Sequence, residues 1–256
     1  MIRAEVDALQ ASLTRASESQ GESLGHGIAH VGDIIGVPPG VFRRAADRAL
    51  EDYLAAESPA DARLIVAQTA ALACDQVVTD GSVVFSPFSF ANGASEQKLL
   101  RATRQCMERV TLERFRGSLL GAAESKVEGK GLKLGWDPAD NRLYALMWAD
   151  PSHTPEPADV VAGALAYLGM GLLTAFPWHS GLAAVGWGQS PRGWVWPLWE
   201  VPLSLPVVRS LLGDSDLRRG LAGRECLARR GIVEVRVCEV QNPTGKRNFF
   251  APSRPV

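Results

Sequence analysis

The sequence has few cysteines and arranges none of them in a motif. It contains four, Cys74, Cys106, Cys226 and Cys238, without any CxxC spacing. Structural zinc sites and small disulfide-stabilised folds need closely spaced cysteines, so neither class is expected. Isolated thiols are typical of the reducing cytoplasm, and we predict that location.

Long apolar runs are also absent. The most apolar stretch, VVAGALAYLGMGLLTAF at 160–176, is too short and too rich in small residues for a bilayer span, and it favours a buried helix. The first residues contain no signal-peptide core. Their apolar side chains Val6, Leu9 and Leu13 instead indicate an amphipathic helix over residues 1–19. We expect no contact with a membrane.

No catalytic or metal-binding motif is present. HExxH and GxSxG do not occur, and NPTGKRNF has a Gly-Lys pair without the other residues of a phosphate-binding loop. His26 and His30 are four residues apart, but glycines surround them. We therefore predict a protein that is not an enzyme, with no metal and no cofactor. The alternative of an enzyme with an unrecognised site stays open.

Charge is divided unevenly along the chain, although the net charge is only −1. Residues 1–97 contain 6 Lys/Arg and 13 Asp/Glu, whereas residues 98–256 contain 21 and 15. The acidic part and the basic part could face different partners, and a basic surface suits nucleic acid. Two solvated surfaces with a chance imbalance would look the same in the sequence.

The order of predicted elements indicates the fold class. Apolar periodicity predicts helices over 41–57, 59–78, 95–121, 157–176 and 214–230, a further helix from Leu205, and strands or strand-and-turn segments over 82–93, 142–148, 181–188, 194–200 and 231–240. Helices dominate first, and strands and helices then mix without regular alternation. We predict an α+β protein in which an α-helical N-terminal part (1–82) precedes a mixed α/β part (83–256) with a small, mainly antiparallel sheet.

Three tryptophans, Trp194, Trp196 and Trp199, lie within six residues. Alternation along a strand places Trp194 and Trp196 on one face, and Pro197 is expected to break the ladder of strand pairing. Such tryptophans either stack on nucleic-acid bases or belong to a core. Because no basic residue stands among them, we favour the core.

Basic segments elsewhere are the better candidates for binding nucleic acid. The predicted contacts are Lys126, Lys130 and Lys133 in the loop SKVEGKGLKLG, Arg218 and Arg219 in the predicted basic helix, and Lys246, Arg247 and Asn248 in the C-terminal tail. Glycines in the loop would let the backbone approach a phosphate closely. A flexible, solvated loop without a ligand is the alternative.

Five stretches together resemble a known family. They are SPFSFANG, LGWDPADNRLYALMWADPS, ALAYLGMGLLTAFP, WVWPLWEVPLSLPVVRSLL and RGIVEVRVCEVQNPTGKRNFFAP, and together they span residues 86–252, about two thirds of the chain. Their order and rough spacing resemble the large-subunit proteins of type I CRISPR interference (Cascade) complexes, particularly the type I-U (I-G) lineage. HTPEPADVVAG departs from the family because it lacks the basic and amide residues often found there, and residues 1–85 match nothing in it.

The resemblance implies a non-catalytic subunit of an RNA-guided surveillance complex that acts in antiviral defence. Its partners would be the other complex subunits, guide RNA, target DNA with a short flanking motif, and a separate nuclease-helicase. A different class of function is an adaptor that contacts only proteins and docks a partner through its acidic helices. We carry both hypotheses forward.

Overall fold

The computed structural model describes residues 37–55, 59–90, 99–120, 126–128, 134–137, 157–179, 181–189, 192–219, 223–242 and 248–256. The helix predicted over 1–19 and the strand predicted over 142–148 lie outside these ranges. The N-terminal elements are α1 (Pro39–Ala55), α2 (Pro59–Leu72), the hairpin β1 (Ala73–Thr79) and β2 (Ser82–Phe85), α3 (Leu99–Met107) and α4 (Leu112–Leu120). Helices thus dominate this part of the chain.

Strands and helices mix in the rest of the described chain. The elements are β3 (Lys126–Glu128), β4 (Pro157–Asp159), α5 (Val160–Met170), β5 (Ala175–Trp178), β6 (Gly181–Ala184), β7 (Trp187–Gln189), β8 (Arg192–Trp199), α6 (Leu205–Leu212), a 3-10 turn (Ser215–Arg218), α7 (Arg224–Arg229), β9 (Ile232–Gln241), β10 (Phe249–Phe250) and β11 (Arg254–Pro255). The largest sheet has the order β10-β9-β8-β7, and β11 also pairs with β9. All strand pairs in the described part are antiparallel, which confirms the predicted α+β class.

The main core cluster draws on both ends of the described chain. It contains Val37 and Phe42 from the helical part, Tyr167 from α5, and Trp187 and Phe250 from the large sheet. The proposed boundary between residues 82 and 83 falls at the β1–β2 hairpin, where Thr79 pairs with Ser82. The division into two parts stays a prediction. Among the described helices, none is both long and apolar enough to cross a bilayer.

The single helix predicted over 95–121 is wrong, because the described part of this region forms two helices. After α3, Arg109 and Val110 make tight backbone hydrogen bonds to Cys106 and Met107, which end the helix. A new helix begins at Leu112, and the Thr111 hydroxyl accepts from the Arg114 backbone N–H at 3.2 Å. Thr111 in the sequence ERVTLERF is therefore a helix cap, which apolar periodicity alone does not indicate.

The helix predicted over 157–176 is also shorter than expected. Asp159 is its N-cap, since one carboxylate oxygen accepts from the backbone N–H groups of Val161 and Ala162 at 3.1 and 3.0 Å. Residues 157–159 and 175–178 pair with other strands instead. The end of the helix predicted over 59–78 is likewise a strand, because residues 73–78 belong to β1 and pair with β2. The predicted basic helix 214–230 is divided into the 3-10 turn and α7.

Pro197 does not break the strand ladder, contrary to the prediction. Residues Gly193 to Trp199 of β8 pair with β9, with an irregularity only between Leu198 and Trp199. The backbone N–H of Val195 points away from β9, because it donates to Gly186 at 2.8 Å. In a strand, the nitrogen atoms of residues two apart point in the same direction. The nitrogen of Pro197, which has no hydrogen to donate, therefore also points away from β9, and the β8–β9 hydrogen bonds are not interrupted.

Candidate nucleic-acid interface and an apolar cavity

The predicted basic contacts fall on three places in the structure. Lys126 begins β3, where its backbone pairs with Asp159. Arg218 is the last residue of the 3-10 turn, and Arg219 follows it with an exposed side chain. Lys130, Lys133, Lys246 and Arg247 lie outside the described residues. Asn248 is half-buried, and its side-chain oxygen accepts a 3.0 Å hydrogen bond from the Asn242 amide.

Two of the basic segments join the fold at neighbouring points. Gly135 follows Lys133 by two residues, and Asn248 follows Arg247 directly. The Gly135 carbonyl accepts a 3.0 Å hydrogen bond from the Phe250 N–H. A Cβ built on Gly135 would lie only 2.9 Å from the Asn248 carbonyl oxygen, so the two backbones are in contact there. This contact links positions more than a hundred residues apart.

Lys126 is connected to the same region through α5. Its strand partner Asp159 caps that helix and also accepts a 2.8 Å hydrogen bond from the Ser118 hydroxyl. One turn further along α5, a Cβ on Gly163 would lie 3.7 Å from the Leu134 side chain. The first two turns of α5 therefore contact both the strand that carries Lys126 and the residue that follows Lys133.

The arginines after α6 belong largely to an ion-pair network. Asp216 is buried and pairs with Arg219 at 3.0 Å and with Arg230 at 3.3 Å. Arg230 also contacts Asp214, whose carboxylate accepts from the Asp216 backbone N–H at 2.9 Å. These carboxylates offset the arginine charges locally, so Arg219 contributes less positive potential than the sequence suggests.

An apolar cavity of about 430 Å³ opens beside the large sheet. It is lined by Phe88, Trp136, Ala166, Gly169, Met170, Leu172, Leu173, Trp194, Trp196, Pro197, Trp199, Val208, Leu212, Cys238 and Phe250. Each of the five stretches on which the family resemblance rests contributes at least one of these residues. Its size falls within the range of ligand pockets in proteins, and its lining is almost entirely apolar.

The tryptophans predicted as core side chains form one wall of this cavity. Trp194 and Trp196 are half-buried, pack against the main core cluster and stack with ring centroids 4.8 Å apart. Val195 points to the opposite face, where it joins a second cluster with Val237, as the alternation predicted. Trp199 also lines the cavity and is 37% exposed. These side chains therefore serve both the core and an open pocket.

Gly169 widens the cavity from the side of α5. A Cβ at this position would meet nothing within 4 Å, so neither packing nor backbone geometry requires glycine. Replacing a glycine by alanine at a compatible helical position typically stabilises a protein by about 0.4–1 kcal/mol. A residue that weakens its helix without a packing benefit is typical of a functional surface. The cavity was missed in the sequence because its walls come from distant segments.

Cys106 and Cys238 are buried thiols, and burial changes the pKa of both. Desolvation by burial raises the pKa of the Cys106 thiol to about 11, which keeps it protonated and unreactive near neutral pH. Burial also raises the pKa of Cys238. His179 is exposed, and no group of metal-ligating side chains occurs among the described residues. His26, His30 and their surroundings lie outside them.

No protein-family model, curated protein or solved structure matches the chain.

Proposed function

We propose that the protein is a non-catalytic, cytoplasmic subunit of a type I CRISPR surveillance complex and contacts guide RNA or target DNA through its basic segments. The other complex subunits are its protein partners, and a nuclease-helicase is recruited with its help. The proposal draws its family from the resemblance of five sequence stretches. The binding surface is inferred from a contact between described residues that lie next to two of the basic segments.

The contact between Gly135 and Asn248 carries the nucleic-acid part of the proposal. It joins the segment that contains Lys130 and Lys133 to the fold beside the segment that contains Lys246 and Arg247. Phosphate backbones are bound by several cations that reach the same strand. Because the described residues next to the two basic segments are in contact, we infer that cations of both segments reach one strand.

A fivefold variant tests this surface. Lys126, Lys130, Lys133, Lys246 and Arg247 are changed together to alanine in the assembled complex, and binding to guide RNA and target DNA is measured over a range of salt concentrations. We expect weaker binding, intact assembly and a smaller salt slope, lower by up to about 0.9 for each phosphate of duplex DNA that is no longer neutralised. Adjacent genes for backbone subunits and a repeat array would support the same assignment.

A matched control removes the same number of charges elsewhere. Arg44, Arg48, Arg116, Arg192 and Arg224 are exposed and have no ion-pair partner in the described part of the chain. Their alanine variant should keep most of the affinity and the salt slope. If the two variants behave alike, net charge alone explains the binding.

The adaptor hypothesis remains the second candidate because of exposed leucines on α1. Leu50 and Leu54 are 47% and 74% exposed and lie one turn apart, next to Glu51. A helix with exposed apolar side chains one turn apart suits a protein partner, although α1 carries no net charge because it has three arginines and three acidic residues. If the fivefold variant binds nucleic acid with unchanged affinity and salt dependence, this function becomes the better one.

A further inference from the structure

The apolar cavity is bordered by an exposed apolar segment. Trp199, which lines the cavity, is followed by Val201, Leu205 and Val207, which are 52%, 54% and 43% exposed. The segment ends at Val208, which lines the cavity again. Single exposed apolar side chains are ordinary on protein surfaces, but three of them within seven residues on a segment that borders a pocket favour an interaction site.

The charges around this segment do not suit a polyanion. Glu200 and Arg209 are exposed, of opposite sign, and without an ion-pair partner in the described part of the chain. Two of the arginines that follow α6, Arg219 and Arg230, are already paired with carboxylates. A nucleic-acid strand entering the cavity would need phosphate contacts beside it, and a nucleobase would need polar groups along its edges. The lining offers few groups that could contact a phosphate and few polar groups for a nucleobase.

An apolar side chain of a protein fits both the lining and the border. Aromatic rings pack favourably against other rings at an angle or with an offset. Four of the seven tryptophans, Trp136, Trp194, Trp196 and Trp199, offer ring surfaces to the cavity. A partially exposed pocket with such walls resembles the sites that receive the dominant anchor residue of a protein interface.

We propose that this cavity is the anchor pocket of a protein-docking surface. Its occupant is a bulky apolar side chain, preferably aromatic, on a segment of a partner protein that carries little net charge. Gly169 and Ala166 on α5 keep the pocket wide enough for this side chain. The inference does not depend on the proposed CRISPR function, because it uses only the shape and the charge of the site.

The test uses the full chain and a displayed library of random 12-residue peptides. Selected peptides are measured against the wild type, Gly169→Ala and Gly169→Leu. Leucine at 169 would extend into open space and fill part of the cavity, whereas alanine adds a single methyl group. We expect enriched peptides with a Trp, Phe or Leu at a fixed central position. They should bind Gly169→Leu at least about tenfold more weakly than Gly169→Ala.

The melting temperature of each variant reports whether it has folded. Ala166→Leu, at an exposed position that also lines the cavity, serves as a second blocking variant if Gly169→Leu does not fold. Peptides that bind every variant equally, or a selection without apolar enrichment, overturn the proposal. Single-stranded DNA and RNA 20-mers form the other arm. Quenching of tryptophan fluorescence by either one, abolished in Gly169→Leu, assigns the pocket to a nucleobase and also overturns it.

The fivefold basic variant separates this inference from the proposed function. It should bind the selected peptides as tightly as the wild type. Conversely, Gly169→Leu should keep the salt-dependent nucleic-acid binding of the assembled complex. Either activity can therefore fail without the other.

Discussion

Replacing Gly193 by alanine should separate the two longest strands at the point that positions the tryptophan wall. Gly193 lies in β8 opposite Glu239 of β9, and Trp194 follows it. A Cβ on Gly193 would lie 2.9 Å from both the Cys238 carbonyl carbon and the Glu239 Cα, and closer still to the Cys238 oxygen. Carbon atoms in contact are normally about 3.5–4.0 Å apart. All three neighbours are backbone atoms, so no side chain can rotate away.

The magnitude follows from the displacement that the methyl group requires. Relief of the carbon contacts needs a movement of about 0.6 Å or more between the strands. Ladder hydrogen bonds near 2.9 Å would then exceed the usual limit of about 3.2 Å. Loss of two such bonds costs about 1–3 kcal/mol, and residual overpacking adds to this. We expect the free energy of unfolding to fall by roughly 2–4 kcal/mol.

Urea denaturation followed by tryptophan fluorescence measures this change. The control is Gly213→Ala, because a Cβ at Gly213 would have ordinary contacts of 3.6 and 3.8 Å and the backbone there is right-handed. The control should stay within about 0.5 kcal/mol of the wild type. If Gly193→Ala unfolds at the same urea concentration as the control, β8 and β9 do not pair in this register.

Two further predictions concern the surroundings of α5. Asp159→Ala removes the side-chain cap of that helix and should lower the free energy of unfolding by about 0.5–2 kcal/mol, measured by urea denaturation. Asp159→Asn keeps a capping oxygen and should therefore retain most of the stability of the wild type. Equal losses of stability in both variants would contradict the capping role. Cys106 is protonated in the folded protein up to about pH 11, whereas an unfolded thiol ionises near its ordinary pKa of 9.0. The unfolded state therefore binds fewer protons between these pH values, and stability should fall with rising pH by at most about 1.4 kcal/mol per unit. Urea denaturation of the wild type and Cys106→Ala between pH 8.5 and 11 checks this, since parallel pH dependences would rule out the thiol as the cause.

Local signals in the sequence were enough for the fold class and for several elements. The helix predicted over 41–57 is present as α1, Pro39–Ala55, and the strand predicted over 231–240 is present as β9, Ile232–Gln241. Alternation in the stretch WVWPLWE also predicted that Trp194 and Trp196 share a face and Val195 lies opposite. These features follow from helix and strand periodicity, which acts over a few residues.

Long-range pairing decided the boundaries that the sequence analysis missed. Residues 73–79 have helix-compatible apolar spacing, but they pair with β2 and become a strand. The direction of the Pro197 nitrogen depends on which neighbouring strand lies on which side of β8. Apolar periodicity is the same for either arrangement, so neither outcome could be predicted from it.

The candidate sites depend most strongly on the tertiary structure. The sequence by itself supplied the basic segments, the tryptophans and the absence of recognisable catalytic motifs. Only the folded chain brings Gly135 against Asn248, and only the folded chain leaves a cavity between Gly169 and the tryptophans of β8. The physical reason is that contacts between distant segments depend on how helices and strands pack. The shape and depth of a pocket are therefore properties of that packing and are absent from any single stretch of residues.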